Sequence, residues 1–334
     1  MAKSNQREAY RKKVRDYQKI LFLILFFSFI VFVVIAAFGV YSVGVGRFIS
    51  SVESIRPSYF LQALGIVFVS YLLRFPKWQL YMKRLGIRIK AFQNLIIYLS
   101  MYSMDITPGR WGRAIGSYTI NRLTGAGIGT SFPAVVADIF TDFVGFAIVA
   151  VAAALLVRQY IEISIGASLL LFIPFIFLYN KGAYSIFSRR LRKFKFLRGL
   201  FAVGDSYFSH NKKLGLPVYI YSLLCAIPAT ILNGLSLYFV MLAFGINVGI
   251  GDLGTIVFIY AVSTLLGMLT GLPANIGVTD ATLLGFILAF FGGYGIDVGL
   301  AAIITIFTRI VNVWFVQLFG FGALLYTLRY WREK

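Results

Sequence analysis

One cysteine, Cys225, and one histidine, His210, stand in a chain of 334 residues. The lone thiol excludes an internal disulfide, and the pair leaves no Cys/His cluster for zinc, iron or haem, so no cofactor or metal is expected. Acidic residues are scarce as well, 12 Asp and Glu against 32 Lys and Arg. No Gly-x-x-x-x-Gly-Lys-Ser/Thr loop offers a cradle for nucleotide phosphates, which argues against direct ATP drive. Long polar stretches are missing too: 59% of the residues are hydrophobic and 13% are charged.

Apolar runs long enough to cross a hydrocarbon layer of roughly 30 Å recur along the whole chain, which a soluble domain could not hide. The fold class expected is an all-α polytopic membrane protein, one transmembrane domain over residues 20–328. Full spans are predicted at 20–45, 58–73, 131–157, 161–179, 216–244 and 298–328. The first run exceeds a signal-peptide core and ends without a small-residue cleavage site, so it is read as a retained helix.

The formal charge of +20 suits nucleic acid or anionic lipid equally, and distribution decides between them. The basic residues are dispersed among loops, so no nucleic-acid partner is expected and anionic lipids at the cytoplasmic face are. Residues 1–19, 74–90, 180–215 and 329–334 hold 25 Lys and Arg, whereas the connections at 46–57, 158–162, 245–252 and 292–297 hold three. The positive-inside rule then places both termini and the loop 180–215 in the cytoplasm, in a multi-pass protein of the cell membrane. A homo-oligomer is compatible with all of this.

Two apolar stretches, 91–122 and 253–291, are interrupted by proline and glycine, and the charge bias is kept if each enters and leaves on its own side, as a re-entrant hairpin or a pair of helices. "TPGRWG" and "LPANIG" share the spacing Pro108 to Gly112 and Pro273 to Gly277. Each break follows one span and precedes another of opposite direction, the signature of an inverted-topology repeat with its site at the midplane.

Eight charged residues remain outside the loops: Asp105, Asp138, Asp142, Asp280, Arg110, Arg113, Arg122 and Arg309. Charges at membrane depth are costly, and they pair or face a watery cavity. Asp138 and Asp142 lie one helical turn apart on one face. Thr305, Arg309 and Asn312 share another, with Arg309 about 15 Å deep. The equivalence of the two halves leads to the expectation that Arg309 meets this acidic stripe near the bundle centre.

In "DITPGRWGRAIG" the interruption frees backbone amides, and Arg110 and Arg113 add guanidinium donors suited to phosphate oxygens. A helix starting near Arg110 would aim its positive end at the same anion. The alternative is a cytoplasmic loop whose arginines touch headgroups. In the second break Asn275, Thr279 and Asp280 are polar without a cation, and Thr279 and Asp280 equally suit an N-cap. The candidate binding residues are therefore Asp105, Arg110, Arg113, Asp138, Asp142, Asn275, Asp280 and Arg309, with an anionic lipid headgroup as the expected partner.

"DITPGRWGRAIGSYTINRLTGAGIGTSFPAVVADIFTDFVGF" with the later "GLPANIGVTDATLLGFILAFFG" resembles the lysylphosphatidylglycerol synthase transmembrane region, a flippase-like family of integral membrane proteins. The strongest markers are Pro108, Gly112, Asp142, Pro273, Gly277 and Asp280. The resemblance implies an acidic residue after the first Pro-Gly break, where this chain has Gly112-Arg113. In the best-known members an aminoacyltransferase domain follows the membrane region; here the sequence stops soon after the last span. What the resemblance implies is a stand-alone lipid flippase or translocator rather than an enzyme. The basic break favours a phosphate-bearing lipid, a polyprenyl-phosphate sugar or a phospholipid. A membrane-embedded enzyme acting on a lipid phosphate and a proton-coupled solute carrier using the aspartates are the other classes open to these residues.

Overall fold

The computed structural model describes residues 44–180 and 208–330, with isolated positions between 30 and 41 and at 182 and 185. The span at 20–45, most of the loop 180–215 and the basic N-terminus lie outside the described residues. What is described is all-α, with no strand among the described residues. In chain order the helices are α1 (Val45–Glu53), α2 (Pro57–Arg84), α3 (Ala91–Met101), α4 (Ile115–Thr124), α5 (Ile128–Val157) and α6 (Ile161–Tyr179). They are followed by α7 (Leu216–Ala243), α8 (Leu253–Leu269), α9 (Val278–Phe291), α10 (Val298–Arg309) and α11 (Phe315–Tyr330), a π-turn at Ile310–Trp314 joining the last two.

Six helical segments are long and apolar enough to span a membrane: Pro57–Arg84, Ile128–Val157, Leu216–Ala243, Ile250–Leu269, Pro273–Tyr294 and Val298–Thr327. Leucines on their outer faces, among them Leu61, Leu156, Leu224 and Leu318, are exposed, as a lipid-facing surface requires. The chain is thus an all-α polytopic membrane protein. Four of the six segments coincide with predicted spans, and α6 covers the predicted 161–179.

The two interrupted stretches differ. The first consists of α3 and α4, 11 and 10 residues long, about half a crossing each, joined by 3₁₀ turns at Tyr102–Met104 and Pro108–Ala114. In the second, both arms reach crossing length, and a 3₁₀ turn at Pro273–Asn275 separates them.

One predicted boundary moves substantially. The span expected to end at residue 73 continues as α2 to Arg84, 28 residues in all, because its buried stripe does not stop at the charges. Ala63, Val67, Ser70, Tyr71, Arg74, Lys77, Trp78 and Tyr81 are all buried, one continuous face at helical period. Arg74 and Lys77 therefore leave the loop that was expected to be cytoplasmic, and the basic count expected on that side falls from 25 to 23.

α5 and α8 form the middle of the bundle, α7 lies against α2, α5 and α8, and α11 covers α3. Small residues set these approaches, as they do between membrane helices in general: a Cβ on Gly145 of α5 would sit 3.1 Å from the Ala226 Cβ of α7. Gly320 of α11 is tighter, since a Cβ there would lie 2.6 Å from the Ser103 backbone nitrogen and 3.0 Å from the Leu99 carbonyl. Gly320→Ala is expected to lower stability by about 1 to 3 kcal/mol through overpacking against rigid backbone, while Gly322→Ala, which faces open space, leaves it unchanged. Thermal unfolding of the two purified variants checks this.

α1 is tied to α10 at the bundle's edge. The Asp297 carboxylate caps α10 by accepting from the Leu300 backbone N–H at 2.9 Å and also pairs with Arg47. The N–H bond first, and Arg47 second, hold the Asp297 carboxyl below its usual pKa. A depressed carboxyl pKa contributes stability that is present above about pH 4 and lost as pH falls through the folded value. Asp297→Asn is expected to lower the melting point at neutral pH and leave it nearly unaltered at the acid end, which flattens the acid limb of the profile, as a pH series of melting points would read.

Candidate functional site

Seven charged residues meet between α2, α5 and the first break. Lys77 Nζ lies 2.6 Å from Asp142 Oδ1 and 3.1 Å from Asp138 Oδ1, and it donates to the Asp138 carbonyl and to Thr141. Arg74 Nε lies 3.3 Å from Asp142 Oδ1. Arg113 reaches in from the break: Nη1 donates to Asp138 Oδ2 at 2.7 Å and to Asp142 Oδ2 at 3.0 Å, while Nε and Nη2 fork onto Asp105. Its guanidinium also stands over the Tyr102 ring, 4.5 Å from the centroid. Arg74, Lys77, Arg113, Asp138 and Asp142 are almost completely buried. Charges so far from water persist only when each has partners, and here every carboxylate touches at least one cation.

Arg110 is held differently. Its Nη1 is 4.0 Å from Asp142 Oδ2, its side chain keeps 16% exposure, and its Cζ lies 5.5 Å from the Phe143 ring centroid. Its backbone is left-handed, φ 61°, a strained conformation for a residue with a Cβ, and such strain gathers at functional sites. The expected α-helix beginning at Arg110 is not formed: the chain makes a 3₁₀ turn from Pro108, and α4 begins at Ile115. The Thr107 side chain takes the Gly112 N–H at 2.7 Å, and the Thr107 carbonyl takes the Arg110 N–H at 2.9 Å. The break thus presents the Arg110 and Arg113 guanidinium groups without an α-helix N-terminus at Arg110.

The second break carries the same backbone irregularity. Ala274 and Asn275 have φ of 50° and 58°. Arg309 crosses from the end of α10 to clamp this turn: Nη2 donates to the Ala274 carbonyl, and Nε lies 3.1 Å from Asp280 Oδ1. Asp280 also accepts the Gly277 N–H at 2.8 Å, so it caps the start of α9 as well as pairing. The expected meeting of Arg309 with Asp138 and Asp142 is corrected by this. Asp280 sits on the helix preceding α10 and saturates the guanidinium locally, while Lys77 and Arg113 have already taken the acidic stripe.

The two breaks touch, and a cavity of about 50 Å³ lies between them. Arg74, Asp105, Arg110, Arg113, Asp142, Asn275 and Arg309 line it, with Tyr71, Asn233, Tyr260, Asn312 and Gln317. Six of the eight sequence candidates thus face one space; Asp138 stands behind Arg113, and Asp280 behind Arg309. Arg122 ends α4 and is not among the residues lining the cavity. Arg74 and Lys77 were missed as members of the site, although their i, i+3 placement on the stripe of Ser70 and Tyr71 was in the sequence to be read. The π-turn after Arg309 puts Asn312 and Val313 on the wall, and such turns recur at functional sites.

Counting the charges that line or directly back the cavity, Arg74, Lys77, Arg110, Arg113 and Arg309 face Asp105, Asp138, Asp142 and Asp280. One positive charge is in excess. Fold and site together define a polytopic membrane protein with a cationic cavity at the junction of two broken helical stretches. The chain belongs to the lysylphosphatidylglycerol synthase transmembrane-region family, whose model matches residues 23–320. It is also 21% identical over 312 residues to a UPF0104 membrane protein of Methanothermobacter thermautotrophicus, covering 85% of this chain and 90% of that one.

Proposed function

We propose that this protein is a lipid flippase or translocator, moving a phosphate-bearing lipid across the cell membrane through the cavity between its breaks, with no covalent change to the lipid. The observation that carries the reading is the uncompensated positive charge of a cavity inside an apolar bundle. A buried charge without a partner is expensive, and an anionic headgroup removes that cost on arrival. Arg110 is the cation with the weakest protein partner, so it is the one that meets phosphate. Arg113, its donors spent on three aspartates, positions the break rather than the ligand. The contact between the two breaks favours an inverted-topology repeat, in which a site at the repeat interface can open to either side in turn. Family membership points the same way.

Reconstitution into liposomes carrying a fluorescent phosphatidylglycerol tests this. Protein-dependent exchange between leaflets, read by an impermeant quencher, is expected, and the matching phosphate-free diacylglycerol should show no protein-dependent gain. No acceleration, or equal acceleration of the phosphate-free lipid, would remove the proposal.

The remaining basic bias, 23 loop residues against three, supports both termini and the segment around Ser209 on the cytoplasmic side. In a Cys225→Ser background, a cysteine introduced at Ser209 is expected to resist impermeant thiol reagents on intact cells and to react after permeabilisation. Labelling on intact cells would reverse the orientation.

A further inference from the structure

Two side-chain amide atoms beside the cavity lack hydrogen-bond partners. Asn312 Nδ2 donates to Ser236 Oγ at 2.6 Å and to the Thr308 carbonyl at 3.2 Å. A carbonyl can only accept, so this pairing fixes the orientation of the amide. Asn312 Oδ1 is then the acceptor left unsatisfied, and Gln317 Nε2 is a donor in the same condition. Both residues are more than nine-tenths buried, at 8% and 6% exposure, and both line the cavity that Arg110 and Arg309 face. Buried amide groups are normally satisfied, and those that are not call for an explanation.

The missing partner has a defined chemistry. It must donate to Asn312 and accept from Gln317, and hydroxyl groups do both. An ammonium has donors only, which leaves Gln317 Nε2 unsatisfied and adds to a charge already in excess. The excess is one positive charge, which a phosphodiester monoanion neutralises; a monoester or diphosphate would carry the site beyond neutrality. We infer that the cavity recognises a singly charged phosphodiester joined to an uncharged, hydroxyl-bearing group, with the phosphate at Arg110 and hydroxyls paired with Asn312 Oδ1 and Gln317 Nε2. This rests on the proposed function and names its substrate class. The chemistry is shared by the glycerol headgroup of a phospholipid and by a sugar on a polyprenyl phosphate.

The test is a binding series on the purified full-length protein in detergent. The probes are phosphatidylglycerol, a polyprenyl-phosphate hexose, phosphatidylethanol, phosphatidylethanolamine and diacylglycerol. Phosphatidylethanol keeps the single charge and lacks the hydroxyls; phosphatidylethanolamine adds the ammonium. At least one hydroxyl-bearing probe is expected to bind about tenfold or more tightly than either of these, and whichever of the two binds more tightly identifies the source. Gln317→Met is expected to remove most of that preference. The wild-type series decides the matter even if the variant does not fold. Equal affinity for phosphatidylethanol and phosphatidylglycerol would overturn the hydroxyl subsite while leaving the flippase reading intact. Equal affinity of every phospholipid and diacylglycerol would overturn both.

Discussion

Lys77→Met is expected to destabilise the protein by about 3 to 5 kcal/mol, the cost of breaking a buried ion pair from one side. Lys77 is fully buried and shared by two carboxylates, 2.6 Å from Asp142 and 3.1 Å from Asp138. Methionine fills similar space, so little of the loss comes from packing. The loss comes from leaving two acids with one cation fewer in low dielectric. Adding Asp138→Asn removes the acid that depends on Lys77 for its otherwise unbonded Oδ1. The double variant is therefore expected to be more stable than Lys77→Met alone, a coupling outside the range of independent sites. Thermal or denaturant unfolding of the two single variants and the double variant measures it. Additive losses would mean that the network does not hold α2 to α5.

The second large effect falls on transport. Arg110→Gln is expected to slow phospholipid exchange ten- to a hundredfold, since hydrogen bonds to charged groups contribute about 1.5 to 3 kcal/mol. Its melting point should move little, because the one carboxylate within reach of Arg110 stands at 4.0 Å. Arg110→Lys should fall between, keeping the charge but losing the planar fork. Liposome exchange and melting of the three proteins separate the roles. Wild-type exchange by Arg110→Gln would exclude it as the phosphate ligand, and a collapse of its melting point would make it part of the scaffold.

Sequence reached the architecture because membrane crossing imposes length and hydropathy on each helix. It reached both breaks because proline and glycine must be placed where the chain leaves the helix. Asp105, Arg110, Arg113, Asp142 and Arg309 were singled out by one physical rule, the cost of charge at depth, and Asn275 by its place in the second break; the structure gathers all six at one cavity. The same rule missed Arg74 and Lys77, because a span was assumed to end once it was long enough to cross. The periodicity of α2 runs 11 residues further and would have exposed the error. Pairing was the least accessible level. Symmetry between halves suggested that Arg309 meets Asp142, but which acid an arginine takes depends on helix rotation and rise. Asp280 on α9 was in reach first. The unpaired amides of Asn312 and Gln317 could not be read at all, since a missing hydrogen bond has no sequence pattern.

The central claim is that a lipid phosphate occupies the space between the two breaks. The most direct measurement is an experimental structure of the protein in nanodiscs of phosphatidylglycerol. The account predicts headgroup density between Pro108–Ala114 and Pro273–Asn275, with a phosphate oxygen about 3 Å from the Arg110 guanidinium. Headgroups confined to the membrane surface, with only water beside Arg110, would contradict it.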